Sequence, residues 1–255
     1  MAFTIAVAGK GGVGKTTISA LVIINLLKRG LKPVLAVDAD PNVNLNTLLG
    51  IQAPFEIGKL REEALEEVRK IDFSPGMSKA TYLEYEFQSC VTEGEGFDLI
   101  VMGRPEGPGC YCFANDVLRT FIAKLTPNYR YVVIDSEAGM EHLSRRTTQN
   151  VDILFIVSDS NPVALKSAER INKLVDELKL RIKKRYLVLN NLENSFILKI
   201  KEKVKKTGLE LGGIIPKDEM VFSFTLEEKP LTQLPSTSPA LLAVENLLKK
   251  TEVLS

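Results

Sequence analysis

Residues Phe3 to Ala8 form a short apolar and β-branched run that stops abruptly at Gly9-Lys10-Gly11-Gly12-Val13-Gly14-Lys15-Thr16-Thr17. That junction constrains the fold more than any other stretch of the chain. It fits G-x-x-x-x-G-K-[ST], a pattern whose glycines let backbone N–H groups close around an anion, whose lysine neutralises charge and whose hydroxyl can ligate Mg²⁺. The chemistry needs a strand before the loop and a helix after it, with the helix N-terminus aimed at the anion. Both are legible: the preceding run reads as a buried strand, and Thr17–Lys28 is an apolar segment of helical length. Gly11, Gly12, Val13, Gly14, Lys15, Thr16 and Thr17 are therefore expected to hold the phosphates of ATP or ADP. Lys15 doubles as a catalytic residue and Thr16 as the Mg²⁺ ligand.

Strand-like runs recur at Pro33–Asp38, Asp98–Met102, Tyr131–Asp135, Ile153–Ser158 and Tyr186–Asn190, with another near Leu209–Ile215. Helix-length segments such as Gly58–Lys70, Asn115–Lys124, Pro162–Lys179 and Pro239–Lys250 lie between most of them. The strands are continuous Val/Ile/Leu runs without polar alternation, so both of their faces must be covered. The expected fold is α/β, a mainly parallel sheet flanked by helices, in a single phosphate-loop domain over residues 1–255. Ligands of such sheets gather at the carboxyl ends of the strands, which makes the polar residues just after each run the ones to examine.

Charge and length narrow the classes. Lys and Arg total 33 against 32 Asp and Glu, so no global basic field recommends nucleic acid or anionic lipid as a partner. The basic run Lys179 to Arg185 is local, and in Lys199 to Lys206 the lysines fall between Ile197, Ile200 and Val204, the pattern of a solvated helix face. No signal peptide is visible, and the apolar stretch Ile18 to Leu27 is broken by Ser19 and Asn25 and is too short for a membrane span. A cytoplasmic protein is expected, in which three cysteines do not form a disulfide framework.

The second strand ends in Asp38-Ala39-Asp40-Pro41. Two carboxylates two residues apart on an extended segment point the same way, toward whatever the first loop holds; the same residues also spell an ordinary turn and helix cap. One carboxylate can hold a Mg²⁺-bound water while the other orients the attacking water. Asp135 closes an apolar strand, as a carboxylate behind Mg²⁺ would, and Gly139 follows in Ser136-Glu137-Ala138-Gly139. A glycine N–H turned toward a γ-phosphate can sense its loss. Asn190 ends another strand, where its amide can pair with adenine. His142 is the single histidine and reads as a packing or surface residue.

Lys10, inside the loop, cannot easily curl back on its own phosphates but can reach those held by a second copy. Here the sequence resembles the deviant-loop ATPases, the family of the septum-site and plasmid-partition ATPases and of the nitrogenase iron protein. The resemblance implies a homodimer in which Lys10 acts on the partner's nucleotide, Asp38 in the Mg²⁺ shell, Asp40 on the nucleophilic water and Gly139 as the sensor. It also implies an adenine pocket made by Asn190 and by Ile215-Pro216-Lys217-Asp218, with Pro216 against the base. Asn191 departs from the basic residue that the family carries there.

Cys110 and Cys112 lie in Gly103-Arg104-Pro105-Glu106-Gly107-Pro108-Gly109-Cys110-Tyr111-Cys112. Two thiols one residue apart in a glycine- and proline-rich loop suit a soft metal, Zn²⁺, Cu(I), Ni²⁺ or an iron–sulfur cluster, with the same pair of a partner completing four ligands. A strained disulfide or two unremarkable thiols are the competing readings, and Cys90 reads as a small core residue. Together with Lys10, Asp38–Asn44 and Asp135–His142, the motif resembles the accessory ATPases that load nickel into carbon monoxide dehydrogenase, with Ser136 in place of a threonine. That resemblance implies a nickel-inserting metallochaperone whose partner is a nickel enzyme, with no nucleic acid and no membrane. The alternative, a positioning ATPase acting on membrane or DNA, needs an amphipathic terminal helix, and Pro239–Leu248 is short, carries few basic residues and reads as packing on the sheet.

Overall fold

The computed structural model describes residues 2–59, 76, 79–103, 120–137, 150–192 and 197–254. Its strands are β1 (Phe3–Gly9), β2 (Val34–Asp38), β3 (Val91–Glu93), β4 (Phe97–Val101), β5 (Tyr131–Asp135), β6 (Val151–Ser158), β7 (Ile182–Leu192) and β8 (Glu210–Pro216). They form one eight-stranded sheet in the order β3-β4-β2-β5-β1-β6-β7-β8. Every pairing is parallel except that of β3 with β4. The mainly parallel α/β sheet expected from the uninterrupted apolar runs is therefore present, with β1 at its centre.

Alternation along the strands divides their side chains between two cores. Ile5 and Val7 join Val34, Ala36, Val133, Phe155 and Val188 on one face, while Ala6 and Ala8 join Leu35, Val37, Ile134, Ile156 and Leu189 on the other. The first face is covered by α1 (Lys15–Lys28), α2 (Leu45–Leu49) and α7 (Pro239–Lys250). The second is covered by α3 (Lys79–Gln88), α4 (Pro162–Glu177) and α5 (Ile197–Lys206). Covering both faces is what lets strands this apolar exist without exposing them.

Helix α1 is buried from Ile18 to Leu26 because the sheet, α2 and α7 surround it. The two polar residues that interrupt its apolar run both have partners. Asn25 Nδ2 donates to the carbonyls of Leu21 at 2.9 Å and Leu241 at 3.2 Å, tying α1 to α7. Ser19 turns toward the sheet and serves the site described below. The N-terminus of α7 is held by Ser238, whose Oγ accepts from Leu241 N–H and donates to Asp218 Oδ2 at 2.6 Å. Asp218 Oδ1 accepts from Met220 N–H at 2.9 Å, so one carboxylate caps both α6 (Glu219–Leu226) and α7. Burial pushes its carboxyl up, but the hydrogen bonds from Ser238, Ala240, Met220 and Val221 outweigh that and hold it below the usual range.

Several boundaries differ from expectation. Helix α3 ends at Gln88, and Val91 opens the antiparallel edge strand β3, which three residues are too few to announce in the sequence. Cys90 lies in the turn between them, fully buried as expected of a core residue. Strand β7 starts at Ile182, four residues before the apolar run, since Lys183, Lys184 and Arg185 extend it with ion pairs to Asp152, Glu252 and Asp176. On α5, Ile200 and Val204 are buried while Lys203, Lys205 and Lys206 are exposed, the solvated face expected. Most of Gly58–Lys70 and half of Asn115–Lys124 lie outside the described residues, of which 57–59 and 120–125 are helical.

Candidate phosphate site

The loop between β1 and α1 leaves the sheet at its central strand. Gly9 lies so close to β6 that a Cβ there would collide with the Val157 carbonyl. Val13 is buried and anchors the loop by its side chain, whereas Lys10, Gly11 and Gly12 are exposed. Gly14 has φ 89°, a left-handed conformation that glycine adopts freely, and begins α1 with no side-chain cap. The first N–H groups of α1 are thus left for an anion, with the positive end of the helix behind them. Lys15 is 6% exposed, and its charge is felt by Asp135 on the neighbouring strand.

The neighbouring strands supply carboxylates at the same end of the sheet. Asp38 of β2 and Asp135 of β5 are register partners, and Asp135 is also the partner of Val7 on β1. Both are fully buried. Asp135 Oδ1 accepts from Ser19 Oγ at 3.0 Å, whereas its Oδ2 and the hydroxyl of Ser136 are buried with no hydrogen-bond partner. Burial pushes the Asp135 carboxyl up to about 7; the Thr16 hydroxyl opposes this, the charge of Asp38 adds to it, and Ser19 and Lys15 oppose it. Buried oxygens without hydrogen-bond partners, beside a lysine and two hydroxyls, fit a phosphate-bound cation.

Asp38 and Asp40 part company. Strand β2 ends at Asp38, so the side-chain parity expected of the pair does not extend to Asp40. Asp38 Oδ1 accepts from Asp40 N–H at 3.1 Å, and Oδ2 from Asn44 and Leu45 N–H at 3.0 and 2.9 Å. It thereby shapes the turn and caps α2. Burial raises its carboxyl, with those three backbone hydrogen bonds pulling the other way. Asp40 is half-buried and accepts from Asn42 N–H at 2.9 Å, the turn geometry that the Asp-Pro sequence also allowed.

Asn190, near the end of β7, is tied to the phosphate loop. Its Nδ2 donates to the carbonyl of Val13 in the phosphate loop at 2.9 Å. Pro216 ends β8 as the register partner of Leu192, half-buried at the same sheet edge. Lys15, Thr16, Asp38, Asp135 and Asn190 are thus brought together. Gly139, Cys110, Cys112 and His142 lie outside the described residues. Among the described residues no group of three or more His, Cys, Asp or Glu side chains is placed to hold a metal ion. Ser19 is the site residue that reading the sequence missed. The signal was there, a hydroxyl four residues after Lys15 and so on the same face of α1.

A parallel sheet with an uncapped glycine loop, a buried lysine and paired acids at its central carboxyl edge defines a phosphate-loop nucleotide-binding protein. The family profile of the CobQ/CobB/MinD/ParA nucleotide binding domain matches residues 4–231, and the chain belongs to that family. It is 42% identical over 246 residues to an uncharacterized ATP-binding protein of Methanocaldococcus jannaschii, covering 96% of this chain and 97% of that one. It is 34% identical over 194 residues to the carbon monoxide dehydrogenase accessory protein CooC of Rhodospirillum rubrum, covering 69% and 70%. In fold it is similar to the septum site-determining protein MinD of Pyrococcus horikoshii complexed with Mg-ADP, with a TM-score of 0.70 at 20% identity over 100% of this chain and 97% of that one.

Proposed function

We propose that this protein hydrolyses ATP as a homodimer and uses the cycle to load nickel into a metalloenzyme of the carbon monoxide dehydrogenase kind. The observation that carries the reading is the place of Cys110-Tyr111-Cys112 in the chain. Met102 N–H donates to the Asp38 carbonyl at 2.8 Å, so the segment that leads to the cysteines departs from the sheet beside β2, at the phosphate edge. Cys110 and Cys112 follow Gly103 by seven and nine residues in the sequence, and we infer that a metal they hold is coupled to events at the phosphates. The similarity to CooC supports the same reading. Thr16, Asp38 and Asp135 fit a Mg²⁺ that would neutralise phosphate charge. Lys15 holds the phosphates, Asp40 orients the attacking water, Gly139 senses the γ-phosphate and the exposed Lys10 reaches the partner's nucleotide. Ni²⁺ or Zn²⁺, as cargo, is bound by Cys110 and Cys112 of both protomers.

The runner-up is a positioning ATPase of the MinD and ParA kind. A membrane role would call for an amphipathic helix with a free apolar face, yet Ala240, Leu241, Val244, Leu247 and Leu248 of α7 are buried against α1 and β8. Among the described residues no helix is long and apolar enough to cross a membrane. The deciding experiment is metal analysis beside size-exclusion chromatography, with and without ATP. One Ni²⁺ or Zn²⁺ per two chains is expected, lost in Cys110→Ser and Cys112→Ser while ATP binding survives. Metal-free dimers, with normal activation of a nickel enzyme by the cysteine variants, return the case to the positioning ATPases.

A further inference from the structure

We propose that Ser19 is a positioning residue for Mg²⁺ that acts through Asp135, holding one carboxylate oxygen so that the other is presented to the metal. The inference rests on the nucleotide-binding reading of the same site. Ser19 is fully buried in α1, where a serine has a local partner at hand, the carbonyl four residues back. Ser167 of α4 and Thr225 of α6 take that option, donating to the carbonyls of Val163 at 3.0 Å and Val221 at 2.8 Å. Ser19 instead donates out of its helix, to Asp135 Oδ1 at 3.0 Å. The bond spans 116 positions of sequence, so it depends on how α1 seats against the sheet. The backbone of Asp135 is already fixed on both sides. Its carbonyl accepts from Ala39 N–H at 2.9 Å, just beyond β2, and the next N–H, that of Ser136, donates to the Val7 carbonyl of β1 at 3.1 Å. What remains free is the turning of the carboxylate, whose torsion is intrinsically broad. The hydrogen bond to Oδ1 removes that freedom and leaves Oδ2 buried with no partner. The Thr16 hydroxyl, three residues before Ser19 and so on the same face of α1, also acts on this carboxylate. Groups that orient a metal's ligands from behind commonly carry about 10- to 100-fold of its affinity.

The probe is ADP, which keeps turnover out of the measurement. Its affinity is read by calorimetry, in Mg²⁺ and in excess EDTA, on wild type, Ser19→Ala, Ser19→Cys, Asp135→Asn and the double variant Ser19→Ala with Asp135→Asn. Thermal unfolding of each nucleotide-free variant confirms that it is folded. Ser19→Ala should bind ADP about 10-fold more weakly than wild type in Mg²⁺ but within about 2-fold of wild type in EDTA. Ser19→Cys, which keeps the volume but donates weakly, should fall between the two, and it carries the test should Ser19→Ala fail to fold. In the Asp135→Asn background the Ser19 substitution should add nothing, because its effect passes through that carboxylate. Equal losses with and without Mg²⁺ would mean that Ser19 only packs, and would overturn the proposal. So would an unchanged affinity in Mg²⁺, a wild type that gains nothing from Mg²⁺, or a full Ser19 effect that persists in Asp135→Asn. Wild type that binds no ADP under either condition would instead sink the nucleotide-binding reading itself.

Discussion

Asp135 carries the sharpest conflict between stability and use. Its carboxyl sits at about 7 when folded against a reference of 3.8, so between those values the folded chain holds a proton that the unfolded chain has released. Stability of the nucleotide-free protein must therefore fall, from this group, as pH rises from about 4 to about 7, and the full cost is present above that window. Asp135→Asn removes the buried charge while keeping an oxygen for Ser19. Its unfolding midpoint at pH 8 without nucleotide should exceed that of wild type, the gap should close toward pH 4, and Mg²⁺-dependent ATP turnover should collapse. A midpoint equal to wild type at pH 8 would show that the carboxyl is not strained there. Lys15 is the complementary case, a buried cation whose proposed partners are the phosphates. Lys15→Ala should weaken ATP by about 10- to 100-fold, the worth of charge-assisted hydrogen bonds in a buried site, as read by calorimetry, and abolish turnover.

At the scale of elements, α7 decides what the C-terminal part of the chain is for. Leu248 is fully buried and Leu242 is 45% exposed on the same helix. Leu248→Ala should cost about 2–5 kcal/mol by leaving a cavity between α7 and the sheet, whereas Leu242→Ala should stay within about 0.5 kcal/mol. Denaturant unfolding measures both. Comparable small effects would mean that the helix is loosely held and free to serve a surface. The polar braces argue for a firm seat: Asn25 ties α7 to α1, Asp218 caps it together with α6, and Tyr131 Oη donates to the Val253 carbonyl just beyond its end at 3.2 Å. Because α1 is also the helix that starts at the phosphate loop, a shift of α7 would be felt at the site.

At the scale of the whole molecule, phosphate loop, paired acids and Asn190 come from β1, β2, β5 and β7 of one sheet, so ligand binding should stabilise that sheet as a unit. A ligand at about 100 times its dissociation constant adds about 2.7 kcal/mol, which for a chain of this size raises the unfolding midpoint by about 5–10 °C. Mg²⁺-ATP should give such a shift in a single transition, and Lys15→Ala, binding about 10- to 100-fold more weakly, should show only about 1–6 °C at the same concentration; two transitions, with only one of them shifted, would mean that part of the chain folds apart from the site. Much of this was legible in the sequence. Local patterns dictated the loop at Gly9–Thr17, the strand runs and the closing acids Asp38 and Asp135, because glycine freedom, apolar continuity and strand length act over a few neighbouring residues. The tertiary structure alone decided the rest. Asp38 became a cap and Asp40 a turn residue because the strand ended between them. Ser19 entered the site, and Asn190 turned to the Val13 carbonyl, because strand order brought distant segments into hydrogen-bonding range, and no local pattern encodes which strand lies beside which.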